Sequence, residues 1–286
     1  MEKYFQFAGI EVAISVPNDK VYSGGYRLMA FQAEKVWNPH RFVFAFVDEL
    51  EPPEREMPLL KKQKNWQIYG DDNMQIRYLG TENDAHMRIT HCGKEHTVQL
   101  RKSVYHSKIT AKTILNALSV EHLVTQCGGF VFHCSYIEHD GKAILFTAPS
   151  GTGKSTQAEL WNNLRRTPII NGDRAVVRIK DRVIWACGIP FAGSSNYCEN
   201  RTMPLEAIVY LAQEPETSIR KLRGYEAFSR IWEGISVNTW DKSDLERVSK
   251  TVEQIADKVP VYHLACTPDE SAVIALEQEL QKVRML

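Results

Sequence analysis

The sequence predicts a mixed α/β (α+β) protein with a β-rich domain over residues 1–105 and an α/β domain over residues 106–286. Three observations support this prediction. Short apolar or alternating runs separated by turn residues fill the first hundred residues, which is the pattern of strands. The spacing becomes helical near residue 107. A glycine-rich loop then joins a strand pattern to a helix pattern near the middle of the chain.

Composition excludes several classes of protein. The 286 residues include 35 Lys plus Arg and 35 Asp plus Glu, so the formal net charge is zero and no nucleic-acid partner is indicated. No segment approaches the ~20 apolar residues of a membrane helix, and the N-terminus lacks the apolar core of a signal sequence. The six cysteines form no C-x-x-C pair, which favours reduced thiols and a cytoplasmic protein.

Six apolar or alternating runs in residues 1–105 predict strands without clear helices, and hence an antiparallel sheet or a small sandwich. His91, Cys92 and His96 lie close enough in sequence to raise a metal site as an alternative. Strand patterns on both sides of Gly93-Lys94 favour a hairpin there instead. Other turns are predicted at Asn18-Asp19, Gly24-Gly25 and Asp72-Asn73.

The second domain begins with a helix pattern over residues 107–124, followed by a stop at Gly128-Gly129. Residues 130–138 then predict a strand, and residues 143–147 predict the strand that leads into the glycine-rich loop. The turn between them predicts that these two strands pair, so His133 is expected in the strand beside the P-loop strand, near the phosphate end of that loop. The alternative is that His133 is an ordinary core residue.

The loop itself fits the P-loop pattern G-x-x-x-x-G-K-[ST], with Ala148 in the first glycine place. Its glycines allow backbone N–H groups to point at phosphate oxygens, and the following helix adds its positive dipole end. Lys154 supplies a charge for the outer phosphates, and Ser155 offers a hydroxyl to Mg²⁺. ATP and Mg²⁺ are therefore expected, with these nucleotide-binding residues: Ser150, Gly151, Thr152, Gly153, Lys154, Ser155 and Thr156.

Asp173 follows the next short strand pattern, over residues 167–170. A carboxylate there suits the second side of a nucleotide-bound Mg²⁺, opposite Ser155. The alternative is an ordinary turn residue, because Asn-Gly-Asp is also turn chemistry. The long irregular loop over residues 188–201 ends at Arg201, which is a candidate substrate contact. Strand and helix patterns alternate from there to residue 286.

Four segments together resemble a known family: FHCSYI, FTAPSGTGKST, INGDR and GIPFAG. They are similar to the catalytic domain of HPr kinase/phosphorylase and its relatives, which share a fold with ATP-dependent phosphoenolpyruvate carboxykinase. The resemblance covers roughly residues 107–286. It implies a P-loop kinase domain in which His133, the phosphate loop and Asp173 form one site with Lys154. It departs at Gly172-Asp173, where HPr kinase carries two adjacent aspartates.

The resemblance implies an ATP- and Mg²⁺-dependent kinase that transfers a phosphoryl group to a hydroxyl of a protein, peptide or small-molecule acceptor. It also implies a homo-oligomer, since HPr kinase is a hexamer. A non-catalytic nucleotide-binding sensor is the alternative, and the single aspartate favours it. A motor-type or GTP-binding protein is ranked low, because the chain has no N-K-x-D motif and no apolar run ending in Asp-Glu after the P-loop.

Overall fold

The computed structural model describes residues 2–17, 22–23, 26–53, 56–71, 74–81, 84–106, 108–193 and 195–284, with the backbone alone for residues 22, 23 and 26. Large sheets and several helices are present, so the mixed α/β class is confirmed. The chain divides into two compact units, Met1–Ser119 and Val120–Leu286. The domain boundary at residues 105/106 stays a prediction. The turns expected at Asn18-Asp19, Gly24-Gly25 and Asp72-Asn73 lie outside the described residues.

Strands dominate the first unit. Its helices are α1 (Tyr26–Met29), α2 (Lys102–Tyr105) and α3 (Ala111–Leu118). Its strands in the described residues are β1 (Glu2–Phe7), β2 (Ile10–Ser15), β3 (Tyr22–Ser23), β4 (Gln32–Ala33), β5 (His40–Val47), β6 (Leu59–Gln63), β7 (Trp66–Gly70), β8 (Met74–Thr81), β9 (Asp84–Cys92), β10 (Glu95–Arg101) and β11 (Ile109–Thr110).

One mixed sheet organises this unit. Among the described residues its nine strands run in the order β4-β1-β2-β5-β10-β9-β8-β7-β6. Strand β5 is parallel to both β2 and β10, so the sheet is mixed rather than antiparallel. The hairpin predicted around Gly93-Lys94 is confirmed as β9 and β10. His91 and His96 are cross-strand partners in it, with their Nδ1 atoms 2.9 Å apart.

Helices and strands alternate in the second unit. Its helices are α4 (Val120–Gln126), α5 (Lys154–Arg165), α6 (Gly224–Trp232), α7 (Lys242–Lys258) and α8 (Glu270–Arg284). Its strands in the described residues are β12 (Gly129–His133), β13 (Ser135–His139), β14 (Lys142–Thr147), β15 (Ile169–Asn171), β16 (Arg174–Lys180), β17 (Val183–Cys187), β18 (Thr202–Gln213), β19 (Ser218–Leu222), β20 (Ile235–Ser236) and β21 (Val261–Cys266).

The second unit has a sheet in the order β15-β13-β14-β18-β17-β16-β12-β20, and β21 pairs with both β18 and β19. Strands β14, β18 and β21 are parallel neighbours, so their carboxyl ends meet at one edge. Three segments leave these ends: the glycine-rich loop over residues 148–153 (the phosphate loop), residues 214–217 and residues 267–269. In open α/β sheets, ligands bind outside the carboxyl ends of the strands.

Both faces of this sheet are buried. Successive residues of β14 point to opposite faces, with Leu145 in one buried cluster and Phe146 in the other. Helices α6 and α7 contribute to the first cluster, and α5 and α8 to the second. Coverage on both faces explains why the strand patterns are continuous apolar runs instead of alternating ones.

Two predicted elements are interrupted in the structure. The helix expected over residues 107–124 breaks at Ser119, which adopts a left-handed φ of 47° between α3 and α4. The strand expected over residues 130–138 breaks at Cys134 into β12 and β13. Strand β13 pairs with β14, whereas β12 pairs with β16 and β20. His133 therefore ends a strand that is not paired with the P-loop strand, contrary to the sequence prediction.

Two expectations from composition can also be compared with the structure. No disulfide joins any of the six cysteines. Among the helices in the described part of the chain, none has the length and hydrophobicity that a membrane crossing requires.

Candidate nucleotide site

The phosphate loop has the backbone that its glycines predict. Gly151 and Gly153 have φ values of 81° and 114°, a region that L side chains rarely adopt. A Cβ atom at either position would meet nothing within 4 Å. The two glycines are therefore required by backbone conformation and not by lack of space. Helix α5 begins directly after the loop, at Lys154.

Lys154 is more enclosed than a loop residue of this kind suggests, with only 8% of its surface exposed. Its ammonium donates hydrogen bonds to the carbonyl oxygens of Ala148 (2.9 Å) and Pro149 (3.3 Å). Burial lowers the pKa of Lys154, and the nearby charge of Asp173 acts in the opposite direction. The side chain thus folds back onto the base of the loop to which it belongs.

His133 and Asp173 form a pair. The His133 Nε2 atom lies 3.5 Å from Asp173 Oδ1, and Arg174 Nε donates to Asp173 Oδ2 at 3.1 Å. The hydrogen bond from His133 is the main cause that lowers the pKa of Asp173, against the opposing effect of burial. The His133 carbonyl accepts from Thr147 Oγ1 at 3.1 Å. Because Thr147 ends β14, this contact brings the pair to the base of the phosphate loop despite the different strand pairing.

Ser155 lies beside the same turn. Its hydroxyl donates to the carbonyl oxygen of Gly172 at 3.4 Å, one residue before Asp173. A serine hydroxyl and an ionised carboxylate are hard oxygen donors, which Mg²⁺ prefers. The donor chemistry of Ser155 and Asp173 is of the kind that suits a magnesium ion, and their place in a metal site stays a prediction.

Asn171 is a functional candidate that sequence analysis missed. Its fully buried side-chain oxygen accepts from the backbone N–H groups of Asp173 and Arg174, both at 3.0 Å. Its amide nitrogen donates to the carbonyl oxygens of Ile189 (3.1 Å) and Phe191 (2.9 Å). One amide thus joins the Asp173 turn to the loop over residues 188–201. The Asn-Gly-Asp turn pattern was the available signal, but it cannot show where the Asn171 amide points.

An open pocket of about 520 Å³ adjoins the phosphate loop. Its walls are the loop glycines, the ends of β18 and β21, and residues 214–215 and 267–268. Gln213 Nε2 donates to the carbonyl of Thr152 at 3.2 Å and ties the end of β18 to the loop. Gln157 also lines the pocket, and its buried Nε2 atom has no hydrogen-bond partner in the described part of the chain. The sequence did not predict this pocket because it is formed by three strand ends far apart in the chain.

Arg201 is not brought together with the other predicted site residues. Its guanidinium forms an ion pair with Glu138, which pairs in register with Ala143. Ala143 is near the start of β14, whereas the phosphate loop follows the end of that strand. Arg201 therefore lies toward the opposite edge of the sheet.

A second polar group lies elsewhere in this unit. Among the described residues, His122, Asp241 and Asp244 offer potential metal-ligand atoms within 4.8 Å of one another. Asp241 accepts from the backbone N–H of Asp244 at 3.0 Å as the N-cap of α7, and Asp244 accepts from Asn238 at 3.3 Å. These contacts also describe an ordinary helix cap.

Comparisons with known proteins give little beyond this geometry. No protein-family model matches the chain, and no curated protein matches its sequence. Among solved structures, the Hpr(Ser) kinase/phosphatase from Coxiella burnetii is similar over 54% of this chain and 90% of its own length. The identity is 11% and the TM-score is 0.34, so this likeness carries no argument about function.

Proposed function

We propose that the chain binds ATP with Mg²⁺ and transfers the γ-phosphoryl group to a hydroxyl of a protein, peptide or small-molecule acceptor. One observation carries the proposal. The P-loop, the His133–Asp173 pair and the Ser155 hydroxyl converge at the carboxyl end of β14. Glycine-rich loops with this lysine bind nucleotide phosphates, and a carboxylate beside them is suited to phosphoryl transfer.

The nucleotide is held by two adjoining features of the second unit. Residues 150–156 surround the phosphates with backbone N–H groups, and the start of α5 adds a positive dipole. Lys154 exchanges its contacts with Ala148 and Pro149 for phosphate oxygens. The neighbouring pocket of about 520 Å³ is within the usual size range for small ligands and takes the base and ribose.

Ser155 and Asp173 would hold the magnesium ion that accompanies the nucleotide. When bound, such an ion neutralises charge on the phosphate oxygens. Asp173 is suited to this because the contacts with His133 and Arg174 lower its pKa and so favour its ionised form. The carboxylate also receives the proton of the acceptor hydroxyl. His133 fixes the orientation of Asp173 through the contact between Nε2 and Oδ1.

A nucleotide-binding sensor without catalysis is the second candidate. Gly172 supports it, because the turn offers one carboxylate where HPr kinase has two. The burial of Lys154 on the carbonyls of its own loop supports it as well, since nucleotide binding would then change the conformation of the loop. A sensor binds ATP and transfers no label, which separates the two candidates.

Nucleotide binding is tested by Lys154→Met, which keeps the length of the side chain and removes its charge. We expect ATP-Mg affinity, measured by calorimetry, to fall at least tenfold while the circular dichroism spectrum stays unchanged. Lys250→Met changes an exposed lysine of α7 and serves as the control. Equal affinity of a folded Lys154→Met protein and the wild type would overturn the P-loop assignment.

Phosphoryl transfer is tested with γ-labelled ATP-Mg and a cell extract as the source of acceptor. Asp173→Asn keeps the shape of the side chain and removes its charge, so transfer should fall by roughly 100-fold. Asp181→Asn, at an exposed hairpin turn, is the matched control. Transfer at the wild-type rate in Asp173→Asn would return Asp173 to an ordinary turn role. ATP binding without any transfer would favour the sensor.

A further inference from the structure

The loop over residues 188–201 places a serine side chain against Gly172. A Cβ atom on Gly172 would lie 2.4 Å from Ser195 Oγ and 2.6 Å from Ser195 Cβ. Real Cβ atoms do not approach so closely, so the Ser195 side chain occupies the space that a side chain at position 172 would need. A hydroxyl thus lies where a side chain next to Asp173 would otherwise be.

This hydroxyl is at the phosphate end of the candidate site. The Gly172 carbonyl accepts from Ser155 Oγ at 3.4 Å. The distance from Ser195 Oγ to the Cβ position of Gly172, the bonds of Gly172 to its carbonyl oxygen, and the distance from that oxygen to Ser155 Oγ can be added. Their sum sets an upper limit of about 10 Å on the separation of the two hydroxyl oxygens. Asp173 is equally close to the loop, because a Cβ atom on Gly193 would lie 2.7 Å from its Cγ and 2.9 Å from its Oδ1.

Several contacts hold the loop in this place. Asn171 binds the carbonyls of Ile189 and Phe191 on one side of the loop tip, and Glu199 N–H binds the carbonyl of Ile170 on the other. Ser195 N–H also donates to the carbonyl of Ala192 at 3.0 Å. The Ser195 hydroxyl donates to the carbonyl of Tyr197 at 3.5 Å, among its contacts. Since Ser195 is also partly exposed, its oxygen can be reached by a phosphoryl group.

From these observations, and resting on the proposed function, we propose that Ser195 is a phosphoryl acceptor of its own chain. The Ser195 Oγ–P bond forms as the bond from the γ-phosphorus to its bridging oxygen breaks, and the electron pair of that bond leaves with ADP. The hydroxyl proton passes to the Asp173 carboxylate. Because acceptor and nucleotide belong to the same unit, the reaction occurs within one molecule.

The test uses the full chain with γ-labelled ATP-Mg and no added acceptor. We expect label to approach one phosphate per chain, and peptide mapping by mass spectrometry to locate it on Ser195. The first-order rate should be the same over a hundredfold range of protein concentration, as a reaction within one molecule requires. Lys154→Met should lose the label together with nucleotide binding.

Variants make the assignment specific to one hydroxyl. Ser195→Ala should remove the label, Ser195→Thr should retain part of it, and Ser218→Ala, on the exposed start of β19, should label like the wild type. Label on another residue, a rate that rises with protein concentration, or full labelling of Ser195→Ala would each overturn the inference. If wild-type protein binds ATP-Mg and labels an acceptor in extract but not Ser195, only this inference fails. If it binds no ATP, the proposed function fails too.

Discussion

The pairing of His133 with Asp173 sets the charge of the candidate site. An imidazole nitrogen 3.5 Å from a carboxylate oxygen stabilises the ionised form of the acid, and Arg174 adds to this effect. These contacts outweigh burial, so the pKa of Asp173 is lowered. The acid that receives a proton in the proposed reaction is thus ionised throughout the neutral pH range.

His133→Leu should move the acidic limb of the pH–rate profile for phosphoryl transfer to higher pH. The substitution removes the hydrogen bond that is the main cause of the lowered pKa of Asp173, so this pKa rises and protonation begins at a higher pH. Rates of label transfer between pH 3 and pH 8 measure the shift. His86→Leu, in the first unit, should leave the profile unchanged. An acidic limb at the same pH in His133→Leu would mean that Asp173 does not carry the proton.

Local patterns predicted the residues of this site in part. Lys154 and Ser155 follow from a contiguous motif, because the loop and its helix are formed by neighbouring residues. Asn171 and Ser195 could not be predicted in this way. Asn171, at the end of β15, reaches the carbonyls of Ile189 and Phe191, and Ser195 reaches Gly172, so these contacts span 18 to 23 residues of chain. Local spacing does not show which distant residue such a side chain will contact.

At the scale of single elements, the Asn171 amide holds the loop over residues 188–201 against the Asp173 turn. Asn171→Asp keeps the oxygen that accepts from the Asp173 and Arg174 N–H groups, and replaces the donor to Ile189 and Phe191 by a second oxygen. The loop loses two hydrogen bonds and gains repulsion between oxygens. The Asp173 turn itself keeps its own contacts.

For Asn171→Asp we therefore expect faster amide hydrogen exchange in the loop over residues 188–201, and phosphoryl transfer reduced by about tenfold or more, because the reacting groups are misplaced. ATP affinity should change less than twofold, since residues 150–156 are not altered. Asn162→Asp removes a comparable donor to the Thr167 carbonyl beyond the end of α5, and serves as the control. Unchanged exchange in the loop would contradict the positioning role.

Helix α8 is fixed at its C-terminal end by a partly buried acid. Glu206 accepts from Arg284 Nε at 2.7 Å and Nη2 at 2.9 Å, and Lys142 Nζ lies 3.4 Å away. Burial raises the pKa of Glu206, but hydrogen bonds from His139 and Arg284 together with the nearby positive charges lower it to about 2. The ionised form is thus favoured by folding.

Acid should weaken the second unit through this group. The folded pKa of Glu206, about 2, lies below its usual value of 4.5, so its stabilisation is present above pH 4.5 and is lost as the pH falls toward 2. Glu206→Gln should lower the free energy of unfolding by about 3 kcal/mol at pH 7 and by much less at pH 2.5. Urea unfolding at both pH values tests this, with exposed Glu216→Gln as the control. An equal loss at both would show that the carboxylate charge is not the cause.

The order of elements was predictable from the sequence, but their partners were not. Strand and helix patterns gave a β-rich first part, an α/β second part and the β9–β10 hairpin, since these depend on residues close in the chain. Strand β10 lies beside β5, and β12 beside β16, across 40 residues or more. Such pairings depend on tertiary contacts, which the local spacing of apolar residues does not predict. The break at Cys134 has the same origin, because β12 pairs with β16 whereas β13 pairs with β14.

At the scale of the whole molecule, each of the two units contains fully buried apolar side chains. Leu100 is fully buried in the first unit, and Leu145 is fully buried in the second. Each unit is large enough to unfold cooperatively. The candidate nucleotide site uses residues of the second unit alone, so ATP-Mg should stabilise that unit and not the first.

Calorimetry should therefore show two unfolding transitions, of which ATP-Mg raises one. At 100 times the dissociation constant the ligand contributes about 2.7 kcal/mol, which corresponds to roughly 5–10 °C for a unit of this size. Leu145→Ala should lower the transition that ATP-Mg raises, and Leu100→Ala the other, since each creates a core cavity that costs about 2–5 kcal/mol. Lys154→Met should reduce the shift to about half or less at the same ligand concentration, in keeping with an affinity at least tenfold lower. If ATP-Mg raised the transition that Leu100→Ala lowers, the nucleotide site would not be confined to residues 120–286. If both substitutions lowered the same transition, the cooperative unit would not be confined to these residues.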